Sequence, residues 1–135
     1  MFQLHPSLQK KAYVCDLPFS TVLFEDNVLC PWIFLVPKKE NVRNMLDLTT
    51  EERLTLMKEI ELAEKVMTKL FNPTQTNVAM IGNLTPQLHV HVICRYETDP
   101  YWPGTVWNQP AKPYMGSAKQ DVINRIKKEF EECQK

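Results

Sequence analysis

Two of the three histidines in this chain stand two positions apart, within Gln87-Leu88-His89-Val90-His91-Val92-Ile93. Leu88, Val90 and Val92 alternate there with Gln87, His89 and His91, and a β-strand sends successive side chains to opposite faces. The alternation predicts a strand over Leu88 to Arg95 with one aliphatic face and one polar face. The aliphatic face can enter a core. The polar face must meet water or a ligand, because each imidazole or carboxamide buried without a partner costs about 1–3 kcal/mol. A His-x-His pair on a strand can present two imidazoles to zinc. Cys94 has the wrong parity to join them on a regular strand, which leaves Glu97 or a distant residue as the third ligand.

The positioning elements follow from the rest of the chain. Ser7 to Ala12 reads as a short amphipathic helix after the extended pair His5-Pro6, with His5 on the surface. Phe19 to Phe24 reads as a strand, Glu25-Asp26-Asn27 as a turn, and Trp32 to Val36 as an apolar strand ended by Pro37. Lys38 and Lys39 read as a solvated turn. Thr49 can cap a long helix, with Glu52 closing a capping box. Its stripe of Leu56, Ile60, Ala63, Met67 and Leu70 covers a sheet face until Asn72-Pro73 stops it. Asn77 to Ile81 reads as the next strand, and Gly82 to Pro86 as a tight loop that leads into the histidine strand. Residues 96–116, rich in proline and aromatics, form an ordered irregular arm. Ser117-x-x-Gln120 then opens a last helix with Val122, Ile126, Phe130 and Cys133 on one stripe.

At 135 residues and 44% hydrophobic composition, one ordinary domain spanning 1–135 is expected, with a sheet-and-helix core over 1–95, the arm over 96–116 and the helix over 117–135. Lys+Arg and Asp+Glu both number 16. This balance removes the basic field that binding to a polynucleotide relies on, without excluding a small anionic ligand. Cys15, Cys30, Cys94 and Cys133 show neither zinc spacing nor a disulfide framework, so free thiols are expected. The N-terminus has no leader pattern and no window approaches a membrane span, so a cytoplasmic location without a membrane partner is expected.

The pattern Gln-φ-His-φ-His-φ-φ, with φ apolar, resembles the His-φ-His-φ-His-φ-φ signature of the histidine-triad nucleotide hydrolases and transferases. Gln87 replaces the first histidine. Trp32-Ile-Phe-Leu-Val-Pro-Lys-Lys39 followed by Met45-Leu-Asp-Leu48 resembles that family's hydrophobic strand, basic turn and lead-in to its long helix. The Gln-Leu-His motif and the Trp102-Pro-Gly-Thr-Val-Trp107 tail are similar to its bacterial, diadenosine tetraphosphate hydrolase-like branch. The resemblance implies an α+β fold, an antiparallel sheet with one long helix packed on it, followed by the C-terminal arm and helix, and a homodimer formed through the sheet edge and the long helix.

It also implies a mechanism. His89 matches the histidine that attacks the α-phosphorus of a nucleotide and forms a nucleotidyl-histidine that water hydrolyses. Imidazole suits this role near neutral pH when its other nitrogen donates to a fixed acceptor such as a backbone carbonyl. His91 matches the position that contacts the phosphate oxygens. Gln87 can orient a neighbour but cannot carry charge or shuttle a proton. Asn83 and Thr85 fall where the family binds ribose and phosphate, Asp26 or Asn27 could bond a ribose, and Trp102 and Trp107 either stack at the pocket or pack the arm. Trp32 stands where the family often has another histidine. The implied ligand is a small nucleotide, and the covalent route needs no cofactor in the protein, any magnesium arriving with a polyphosphate substrate. Two alternatives stand beside this reading, a nucleotide-binding protein without turnover and a His-x-His metal-binding protein.

Overall fold

The computed structural model describes residues 1–135. A five-stranded antiparallel sheet runs in the order β1-β2-β3-β5-β4, made by β1 (Ala12–Asp16), β2 (Ser20–Phe24), β3 (Trp32–Pro37), β4 (Gln75–Ala79) and β5 (Val90–Arg95). Three helices accompany it, α1 (Pro6–Gln9), α2 (Thr50–Phe71) and α3 (Ala118–Cys133). The expected α+β architecture is therefore present.

The long helix forms where its end signals place it. Thr49 Oγ1 accepts from Glu52 N while Glu52 Oε1 accepts from Thr49 N, satisfying two N–H groups that the first turn leaves free. Asn72 adopts φ 44° and ends the helix in the left-handed conformation that asparagine tolerates. Leu56, Ile60, Ala63 and Met67 are buried, as the stripe predicts; Leu70 is only half-buried, and Val66 is buried between them.

Four expectations need correction. Ala12–Asp16 is an edge strand where a helix was expected to end; a bulge between Tyr13 and Cys15 sends Val14 and Cys15 inward together and erases the alternation that marks a strand. The strand expected at Asn77 begins at Gln75 and ends at Ala79. The histidine strand begins at Val90 rather than Leu88, because Leu88 N donates to the Val42 carbonyl instead of joining the sheet ladder. Ser117 has helical backbone angles and makes no capping bond, and Cys133 is exposed while Glu129 is buried and paired with Lys69.

The sheet separates two cores. Ile33 and Leu35 of β3 and Val90, Val92 and Cys94 of β5 pack with Leu56, Ala63 and Met67 of α2 and with Ile126 and Phe130 of α3. Trp32, Phe34, Val36 and Ile93 point the other way and pack with Leu8 and with Tyr101 and Val106 of the arm. Register fixes the site on this second face, since Phe34 pairs with His91 across β3 and β5.

The arm is tied down at its root. Arg95, fully buried, meets Asp99 through Nε at 3.0 Å and Nη2 at 3.2 Å, and Asp99 also accepts from Tyr96 N and Tyr101 N. Burial opposes ionisation of Asp99, yet Arg95 and the two N–H groups hold its pKa down to about 2. No helix is long and apolar enough to cross a membrane, and all four cysteines are free.

Candidate active site

His89 and His91 are buried with ring centroids 5.0 Å apart, and both line a cavity of about 410 Å³. His89 Nδ1 lies 2.7 Å from the Gln87 carbonyl oxygen. A carbonyl only accepts, so Nδ1 carries the proton and Nε2 keeps its lone pair. The orienting group is thus the backbone of Gln87. Its side chain, expected on the same face as the histidines, leaves the cavity, because Gln87 precedes the strand and does not share its alternation. The carboxamide instead meets residues 3–5, with Oε1 accepting from His5 N at 2.7 Å and Nε2 donating to Gln3 O at 2.9 Å.

His91 has the opposite tautomer. Trp32 Nε1 donates to His91 Nδ1 at 3.1 Å, leaving the proton on Nε2. Burial, then the charges of His89 and Lys11, push the pKa of His91 down to about 3. At neutral pH it is an N–H donor and carries no charge. Trp107 stands edge-on to His91 at 5.3 Å and to Trp32 at 6.3 Å, and Phe34 lies 5.0 Å from His91. The site face is therefore an aromatic box around a neutral imidazole.

Asn83 and Thr85 line the cavity from the loop before the motif. Gly82 lets that loop close, since a Cβ there would sit 3.0 Å from the Thr85 carbonyl oxygen. Asp26 and Asn27 do not reach the cavity. Asp26 accepts from Tyr114 N at 2.8 Å, and the buried Asn27 bonds Tyr101 Oη, Leu29 N and Lys112 N, so both hold the arm. Trp102 stacks on Arg95 away from the histidines. Cys94 lies in the helix-side core, and no third His, Cys, Asp or Glu joins the pair in a metal-binding cluster.

Sequence reasoning missed Lys11 and Glu25. They are the two charged residues of the cavity, and they pair at 2.9 and 2.8 Å with Lys11 Nζ over the Phe34 ring. Their separation in the chain gave no signal; only the pairing of Ala12 with Phe24 across β1 and β2 brings them together.

The HIT domain family model matches residues 8–98. Among solved structures, a histidine triad protein from Marinobacter aquaeolei VT8 is 35% identical, with 98% of each chain covered and a TM-score of 0.92. One from Bradyrhizobium japonicum is 30% identical over 96% of this chain and 98% of its own, also at TM-score 0.92. The diadenosine triphosphate hydrolase of Plasmodium falciparum shares the fold, at 21% identity over 91% of this chain and 78% of its own, with a TM-score of 0.63. No curated protein sequence matches the chain.

Proposed function

The chain belongs to the HIT domain family, and on that premise we propose that it hydrolyses or transfers at the α-phosphate of an adenosine-type dinucleotide polyphosphate or nucleotide conjugate. The observation that carries the reading is His89, whose Nδ1 is fixed by the Gln87 carbonyl so that Nε2 is the free lone pair beside the cavity. In the first step Nε2 attacks the α-phosphorus, the bond to the leaving oxygen breaks, and that oxygen departs with the electron pair. The resulting P–N linkage carries positive charge on the ring, which the Nδ1–H to carbonyl bond stabilises. Water then attacks phosphorus and gives up a proton to solvent, the P–N electrons return to Nε2, and the mononucleotide leaves. His91 Nε2–H donates to a phosphate oxygen, acting as a fixed dipole where charge develops.

The turned-away Gln87 supplies no acid, which favours a leaving group that departs as an anion, a polyphosphate rather than an amine. This supports the diadenosine tetraphosphate hydrolase-like branch. Glu25, rather than Asp26 or Asn27, offers the ribose an acceptor; Asn83 and Thr85 bond sugar or phosphate, and Trp107 closes the aromatic side. Magnesium, where it takes part, arrives on the polyphosphate. A homodimer through the β4 edge and α2 is supported by the exposure of Val78 and Met80 beside the one and of Leu54 and Met57 on the other. Free thiols support a cytoplasmic setting.

The test is AMP release from diadenosine tetraphosphate, an adenosine phosphoramidate and ADP, with and without magnesium, by wild type and His89→Ala. The variant should lose about 10³-fold or more in kcat while staying folded, with the polyphosphate the better substrate. Wild-type turnover by His89→Ala would overturn the mechanism. Nucleotide binding without turnover by the wild type would make this a binding protein of the same fold.

A further inference from the structure

Gln87 stands where the family pattern has its first histidine, and both polar atoms of its side chain are committed outside the cavity. Oε1 accepts from His5 N, and Nε2 donates to Gln3 O. In extended backbone an N–H and the C=O two residues earlier point to the same side. A primary carboxamide offers an acceptor and a donor side by side in one plane, so it pairs with residues 3 and 5 as a neighbouring strand would.

The segment held in this way builds one wall of the site, since Ser7, Leu8 and Lys11 all line the cavity. A second fastening lies beside the first. Ser7 N donates to His5 Nδ1, so the Ser7 hydroxyl donates to that nitrogen as well, and Ser7 Oγ accepts from Thr85 Oγ1 at 2.7 Å. Leu8, 3% exposed, seats the same segment on the aromatic face, with Phe2 and Leu4 packed beside it.

We propose that Gln87 is a positioning residue that latches the N-terminal segment over the cavity, setting ligand affinity and leaving the chemical step to His89. An imidazole cannot replace it. The two ring nitrogens point away from each other, so a histidine at 87 would keep one of the two bonds at most. Restoring the family's first histidine would therefore loosen the wall.

The experiment compares full-length wild type, Gln87→Ala and Gln87→His by two readouts. Amide hydrogen exchange at His5 needs no substrate, and it should quicken about tenfold in Gln87→Ala, as loss of its bond acceptor requires. Steady-state kinetics on a dinucleotide polyphosphate, which rest on the proposed activity, should show KM raised about tenfold, kcat within about twofold and an unmoved pH profile. Unchanged exchange at His5 in Gln87→Ala would overturn the latch. So would a rise in kcat for Gln87→His, or a fall in kcat at constant KM for Gln87→Ala. If the wild type turns over no nucleotide, the enzymatic reading fails by itself and the exchange result still decides the latch.

Discussion

The two faces of the sheet use the same strands for different physics. On the helix side, the side chains of Ile33, Leu35, Val90 and Val92 are wholly buried in the apolar cluster shared with α2 and α3. On the other side, Trp32, Phe34 and His91 come from the alternate positions of the same strands, and every ring there has a defined neighbour at a defined angle. The first face gains stability from area removed from water and needs little geometry beyond good packing. The second fixes tautomers, which takes N–H groups and carbonyls at hydrogen-bond distance. One sheet can thus hold its fold on one side and its chemistry on the other.

The largest effect that could break this division is in the helix-side core. Phe130→Ala removes a fully buried ring and should cost about 3–5 kcal/mol in chemical denaturation, with KM unchanged wherever the protein remains folded. A shift in KM for the folded variant would show that the faces are coupled.

His91 sharpens the comparison through pH. Its folded pKa of about 3 lies below the unfolded value near 6.5, so between those values the unfolded chain binds more protons. Stability is complete above pH 6.5 and falls as acid is added, by roughly a few kcal/mol on reaching pH 3. His91→Asn should flatten that slope in denaturation curves taken across the window. An unchanged slope would place the acid sensitivity elsewhere.

The smallest effect belongs to Lys11. Lys11→Met breaks a partly exposed pair and should change stability by less than about 1 kcal/mol. It should still weaken binding of a dinucleotide polyphosphate several-fold more than binding of a nucleoside, measured as dissociation constants, since Lys11 and Glu25 are the cavity's charged pair. Equal shifts for both ligands would take Lys11 out of anion recognition.

Much of the helix-covered face was legible because its signals are local. Thr49, Glu52 and Asn72 bound the long helix by capping chemistry within a few residues, and Trp32 to Val36 announce a strand by composition alone. The histidine pair was legible for the same reason, as a period of two. What could not be read depends on contacts between distant parts of the chain. The bulge in β1 hid a strand whose partner is β2. Leu88 is claimed by Val42, which takes Gln87 out of the alternation that the sequence suggests. Asp26 and Asn27 look like ligand-binding turn residues until the arm, some 80 residues later, takes up their oxygens. Glu25, one residue earlier, lines the cavity, paired with the Lys11 that immediately precedes β1.

The aromatic box also has an optical consequence. Two of the three tryptophans, Trp32 and Trp107, flank His91, while Trp102 lies on Arg95. An excited indole is quenched by an adjacent imidazolium and hardly at all by neutral imidazole. Emission from the unlabelled protein should therefore stay bright at neutral pH and dim only as acid gives His91 its proton.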